Sequence, residues 1–304
     1  MNLQEIMENA SAYKKKTIAI AAADDERVID MVKEAINNKL GEFRLYGNEE
    51  VIRSFLTSKG LSEMSSIKVI PARDVKESAR LSVMSVREGK ADLLMKGMIP
   101  TSVLLKAVLN REYGLRKGKV LSHVAAFEVP GFKRLFFVSD SAMNIAPDLH
   151  QKVEITNNSV EVARAMGVIN PKVAPISAVE VVNPDMSATI DAAALSQMNK
   201  RGQINHCVID GPLALDNAIS VDAANYKGVG GEVAGRADIL LVPTVETGNI
   251  LYKSLVYFAG AKVGGIIAGA KAPIILTSRA DTAASKLYSI AIACHVSEYQ
   301  STLA

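Results

Sequence analysis

Ser278-Arg279-Ala280-Asp281 places a hydroxyl, a guanidinium and a carboxylate within four residues, directly after the apolar run that begins at Ala272. A buried strand handing over to a helix, here Thr282 to Cys294, aims backbone N–H groups and the positive helix end at one spot. That arrangement suits an anion. Arg279 adds a planar donor fork matched to phosphate or carboxylate. The same string also fits a plain helix start, with Ser278 as N-cap and Asp281 reaching back as in a capping box. The two readings are compatible, because a capped helix start can still bind an anion.

Three further junctions carry comparable groups. Val242-Pro-Thr-Val-Glu246-Thr-Gly248-Asn249 follows a strand and opens a helix; Gly248 permits close backbone approach and Asn249 can cap. Val208-Ile-Asp210-Gly211-Pro212 sets a carboxylate and a glycine at a strand end, with Asp216 following. Asp140-Ser-Ala-Met-Asn144-Ile-Ala-Pro147 ends the second strand of a hairpin. Ligands of parallel α/β sheets bind beyond the carboxyl ends of strands, although caps and turns call for the same residue types. No GxxxxGK[ST] string occurs, which argues against a P-loop nucleotidase. Gly228-Val-Gly230-Gly231 follows no strand-like run and reads as a loop rather than a dinucleotide fingerprint.

The elements that must position these groups alternate. Strand-like runs at 17–23, 42–46, 67–70 and 91–96 are separated by helical patterns at 26–39, 49–59, 75–88 and 101–109. Short runs of Ile, Val, Leu and Ala suit a parallel sheet buried on both faces. The rhythm breaks at 119–128 and 133–139, two strand-like runs joined by Val129-Pro-Gly131, a hairpin signal. Past Pro147, a good first helical position, alternation resumes: helices at 148–166, 187–200 and 250–259, strands at 173–176, 206–209, 238–242 and 265–268. The expected class is α/β, two doubly wound domains around a cleft. Residues 1–138 with 272–304 form the first domain and 139–271 the second, the last strand and helix packing back on the first.

Composition narrows the function. Hydrophobic residues at 49% and charged residues at 22% describe an ordinary globular chain. With aromatics at 5%, no Trp and a net charge of +3, a nucleic-acid partner is not expected. Seven Lys/Arg between Lys106 and Arg134 face only Glu112 and Glu128, a local basic segment able to help hold a small phosphorylated ligand. Cys207 and Cys294 lack ligand spacing and read as buried free thiols of a reducing compartment. The opening residues have no apolar signal core, and no apolar run reaches the roughly 18–20 residues of a membrane span. A cytoplasmic protein is expected.

Four strings taken together, Asp140-x-Ala-x-Asn144-x-x-Pro147, Ile209-Asp-Gly-Pro-Leu-Ala-Leu-Asp216, Pro243-x-x-Glu246-Thr-Gly-Asn249-Ile-Leu-Tyr-Lys253 and Leu276-Thr-Ser-Arg-Ala-Asp281, resemble the phosphotransacylases, most of all the phosphate butyryltransferases. The resemblance runs in order from about residue 90 to the C-terminus. It implies a fold like that of isocitrate and isopropylmalate dehydrogenases, commonly dimeric, and the reaction acyl-CoA + phosphate = acyl phosphate + CoA. It makes Ser278, Arg279 and Asp281 catalytic, and Glu246, Gly248, Asn249, Asp140, Asn144 and Lys286 the residues that bind the substrates. Coenzyme A enters as a substrate, and neither a metal nor a permanently bound cofactor is required. The partners are acyl-CoA and orthophosphate, with a short-chain butyryl or branched acyl group and a homodimer expected. One departure concerns the base: acetyl-specific relatives carry an acid seven positions beyond the serine, and Ser285 stands there instead. Asp281 is one helical turn away. Alternatives are a phosphate acetyltransferase, a decarboxylating dehydrogenase on the same fold, and a non-catalytic acyl-CoA-binding module.

Overall fold

The structure, a computed structural model, describes residues 1–276 and 281–303; Ser278 and Arg279 lie outside the described residues. The chain groups into two compact units.

The first unit comprises Leu3–Gly118 and Gly264–Ala304. It opens with α1 (Leu3–Ala12), then β1 (Thr17–Ala21), α2 (Glu26–Asn37), β2 (Glu42–Gly47), α3 (Glu49–Ser58), β3 (Ile67–Pro71), α4 (Val75–Arg87), β4 (Leu93–Lys96) and α5 (Thr101–Val108). The second unit, Met1–Asn2 and Lys119–Val263, contains β5 (Ser122–Glu128), β6 (Phe136–Ser139), α6 (Leu149–Ala165), β7 (Lys172–Pro175), α7 (Ser187–Lys200), β8 (Val208–Ile209), α8 (Leu215–Ile219), α9 (Val221–Tyr226), β9 (Ile239–Leu241) and α10 (Val245–Tyr257). The unit boundary falls within β10 (Lys262–Ala268), after which β11 (Ile274–Ile275) and α11 (Ala283–Leu303) complete the first unit.

The first unit's strands run in the order β3-β2-β1-β4-β11-β10. All neighbours are parallel except β10 with β11. Ile18 to Ala21 and Leu93 to Met95 are buried, as a sheet covered on both faces requires. The first three strands hand over to helices through short polar side chains: Asp25 caps α2, Asn48 caps α3 and Asp74 caps α4. Helix α11 is buried continuously from Leu287 to Ser297, which makes it a core helix with no amphipathic stripe to read. Against it packs α1, a helix not foreseen in the polar opening segment, through Leu3, Ile6 and Ala10. His295 joins the two, one ring nitrogen 2.9 Å from the Tyr13 hydroxyl and the other 2.9 Å from the Ile6 carbonyl.

In the second unit the order is β5-β6-β9-β7-β8. β5 and β6 form the expected antiparallel hairpin, and β6, β9, β7 and β8 run parallel. Helix α6 starts at Leu149, one residue past the expected start at 148: Asp148 is the N-cap and makes a reciprocal box with Gln151. Phe127, Phe136, Val138, Leu240 and Val242 form a core against which Leu251, Tyr252 and Leu255 of α10 pack. Both cysteines are buried free thiols; desolvation pushes Cys207 up to about 11 and Cys294 up to about 12. Neither is a ready nucleophile.

Candidate active site

The parallel pairing of β6 with β9, Ser139 beside Leu241, brings two strand ends together in the second unit. Beyond β6 the chain turns through Asp140 to Asn144; beyond β9 it passes Val242-Pro243-Thr244 into α10. The two paths are tied by Val242 N donating to Ser139 O (2.8 Å) and Val245 N donating to Ile145 O (2.9 Å).

Asp140, 2% exposed, organises the first path. Its Oδ1 accepts from the backbone N–H of His123 (3.2 Å), Ala142 (2.9 Å) and Met143 (3.0 Å). Its Oδ2 accepts from Asn144 N (3.1 Å) and Asn144 Nδ2 (2.5 Å). That amide also donates to Leu121 O at 2.8 Å. The Asp140 carboxylate and the Asn144 Nδ2 are thus engaged within the protein, by the turn itself, His123 and Leu121.

The second path starts α10 earlier than the sequence reading does. Thr244 is the N-cap, accepting from Thr247 N, so Gly248 and Asn249 lie inside the helix and Asn249 is not a cap. A glycine followed by asparagine reads as a boundary; packing overrides it, because a Cβ on Gly248 would stand 2.6 Å from Asp140 O and 2.7 Å from Ser141 Cα. Asn249 Nδ2 reaches Ser141 O at 3.5 Å. Glu246 is exposed in the first turn. Asp140, Asn144, Gly248 and Asn249 are thus in one place, with Glu246 on the rim of the same helix end.

His123 joins this cluster without any motif to announce it. Its Nδ1 lies 2.7 Å from Ser141 Oγ, its carbonyl accepts from Ser139 Oγ (2.9 Å), and its ring tilts against Tyr252 with centroids 6.0 Å apart. The signal that could have found it is the hairpin register: carrying Ala125↔Val138 two residues further on each strand sets His123 opposite Asp140.

In the first unit, α11 begins at Ala283, and its capping hydroxyl is Thr282, which accepts from Ser285 N at 3.1 Å and meets Ser285 Oγ at 3.0 Å. Asp281 thus precedes this cap and is not the third residue of α11, while the Ser278 half of the cap reading lies outside the described residues. Lys286 is half-buried one turn in, its backbone N–H bonded to Thr282 O. No acidic residue occupies the first turn of α11. Of the basic segment, Arg134 is engaged by Asp238 (3.0 Å) and the Ala237 carbonyl. Asp216 is paired with Lys227 at 3.0 Å, which holds its carboxyl below the usual range.

The profile of the family described as phosphate acetyl/butaryl transferase matches residues 61–294. A Bacillus subtilis (strain 168) protein named "Probable phosphate butyryltransferase" is 55% identical over 298 residues, 98% of this chain and 99% of its own. The chain belongs to this family. A branched-chain phosphotransacylase from Enterococcus faecalis V583 superposes with a TM-score of 0.83 at 37% identity, over 93% of this chain and 99% of the other. The fold is also that of a 4-hydroxythreonine-4-phosphate dehydrogenase structure from Salmonella typhimurium, TM-score 0.57 at 14% identity, over 93% of this chain and all of the other. The dehydrogenase-like α/β class expected from the sequence is thereby established.

For a member of the phosphate acetyl/butyryl transferase family, the helix start at Ala283 sharpens the question of the base. Ser285 is engaged with the cap, and Asp281 is the carboxylate nearest to it in the chain. Asp281→Asn is expected to slow thiol attack on acyl phosphate by about 10²–10⁴-fold, the usual worth of a general base, with the melting temperature unchanged. Normal kinetics in that variant would remove Asp281 from the chemistry.

Proposed function

We propose that the chain, a phosphate acyltransferase for short-chain acyl groups, prefers butyryl or branched acyl-CoA over acetyl-CoA, and that its transfer step is carried by Ser278, Arg279 and Asp281. The observation that supports the reading best is the 55% identity along nearly the whole of both chains to the Bacillus subtilis protein. Coenzyme A is a substrate and nothing is bound permanently. A cytoplasmic homodimer, as expected from the sequence, is part of the same proposal.

In the direction of acyl-CoA synthesis, the CoA thiol gives its proton to the Asp281 carboxylate, and the thiolate sulfur attacks the carbonyl carbon of the acyl phosphate. The tetrahedral oxyanion collapses, the C–O bond breaks and phosphate leaves with the electron pair. A thiol of this kind has a pKa near 8.5 in the absence of a base, so the carboxylate matters most at neutral pH. The Arg279 guanidinium takes the phosphate in bidentate fashion, and the Ser278 hydroxyl bonds the thiol or the oxyanion. The Asp140–Asn144 turn and the start of α10, with Glu246, Gly248 and Asn249, hold the CoA substrate, and Lys286 contributes charge. Bringing both substrates into attack geometry is worth about 7–11 kcal/mol.

Thiol release by the purified protein with phosphate or arsenate, offered acetyl-, butyryl-, isobutyryl- and isovaleryl-CoA, tests the reading. Butyryl or a branched substrate should give the highest kcat/KM; a preference for acetyl reassigns the acyl group, and release from none points to a binding module. Arg279→Ala should lower kcat/KM for phosphate roughly 10- to 150-fold, since a hydrogen bond to a charged group is worth about 1.5–3 kcal/mol. An unchanged value removes the anion site.

A further inference from the structure

We infer that His123 is a positioning residue of the transfer site, holding the Asp140–Asn144 turn against α10 through the Ser141 hydroxyl. The inference deepens the proposed function and rests on it. His123 meets three consecutive residues: its backbone N–H donates to Asp140, its carbonyl accepts from Ser139 Oγ, and its Nδ1 lies 2.7 Å from Ser141 Oγ. Any residue at position 123 would make the first two bonds; the third needs the imidazole.

All three partners are 2% exposed or less. Ser141 in turn backs onto α10, its carbonyl facing the Asn249 amide and its Cα lying where Gly248 has no side chain. The ring itself leans on Tyr252, one turn further along α10. A line of contact therefore runs from the imidazole through one serine to residues assigned to the substrate. After His123, β5 is apolar and buried from Val124 to Phe127. The half-buried ring in such a strand is held by its bond to Ser141 and its contact with Tyr252, and a satisfied polar pair of this kind fixes the geometry around it. A Ser–His pair at this distance is also the geometry of an activated nucleophile, but Ser141 is too buried for a thioester to approach. Positioning is the role that these contacts support.

Four variants test it: His123→Ala, His123→Asn, Ser141→Ala and the double variant His123→Ala/Ser141→Ala. The Ala variant at 123 should lower kcat/KM for butyryl-CoA about tenfold, the upper end for one neutral hydrogen bond, and leave KM for phosphate unchanged. His123→Asn, whose amide replaces Nδ1, should recover most of the loss. The double variant should be no worse than the more impaired single one, because both break one bond. An unchanged kcat/KM, equal losses in the Ala and Asn variants, additive losses, or losses shared by both substrates in step with a lower melting temperature each overturn the inference. If wild-type protein releases no thiol, the proposed function has failed, and calorimetric titration with CoA alone still decides this point. Weaker binding by His123→Ala than by wild type supports the positioning role, and equal affinity overturns it.

Discussion

Gly248→Ala is expected to cut kcat/KM for acyl-CoA about a hundredfold, the loss that follows a displacement of about 1 Å at a reacting centre. In most helices the exchange stabilises, by about 0.5–1 kcal/mol. Here the new methyl would stand 2.6 Å from Asp140 O, 2.7 Å from Ser141 Cα and 2.9 Å from Val242 Cγ2. Two of those atoms belong to backbone that cannot rotate aside. The helix start must lift off the Asp140 turn, or the turn must move, and overpacking of this kind costs about 1–3 kcal/mol. Because Asn249 sits on the same turn of α10, its contact with Ser141 goes too. Steady-state kinetics and a thermal melt check both parts. A variant that is more stable than wild type and fully active would show that the helix does not depend on this approach.

The parts of the fold that sequence exposed are those in which local chemistry and packing agree. The helices expected from residues 26, 49 and 75 begin at Glu26, Glu49 and Val75, where Asp25, Asn48 and Asp74 cap them. Where the two disagree, the sequence misleads. Gly248-Asn249 looks like a helix boundary, yet the helix begins at Val245 because the glycine is demanded by a neighbour rather than by a turn. The sequence reading does not single out Thr282, and its cap role shows only in the bond from Ser285 N to Thr282 Oγ1. Helix α1 is invisible for another reason: its apolar side is Leu3, Ile6 and Ala10, and the surface that covers them, α11, lies nearly the whole chain away. The candidate site divides in the same way. Asp140, Asn144, Gly248 and Asn249 are legible as strings and gather as neighbours. His123 carries no string, and its place follows only from how a hairpin is registered. Glu246 is legible but exposed, so its position on the helix says little beyond its charge.

Asp140→Ala is expected to be the most destabilising single change at the site. The carboxylate is 2% exposed and serves backbone N–H groups of four residues, His123, Ala142, Met143 and Asn144. Removing it leaves those donors inside the protein without their acceptor. Even two of them left unpaired cost about 2–6 kcal/mol, a large share of the ~5–15 kcal/mol that holds a domain together. Asp140→Asn separates the carboxylate's two roles. It keeps one oxygen for His123, Ala142 and Met143, and sets an amide against Asn144, where the second oxygen accepted. Its cost should therefore fall between those of wild type and the alanine variant, with Asn144 forced to release either Asp140 or the Leu121 carbonyl. Urea unfolding at neutral pH orders the three proteins by midpoint, provided the slope is the same in each. If the alanine variant unfolds with wild type, water has replaced the carboxylate at no cost, and the turn is held by His123 and Asn144 instead. If it unfolds early while the asparagine variant keeps its stability but loses kcat/KM for acyl-CoA, then the Asn144 side of the turn is where the fold and the reaction meet.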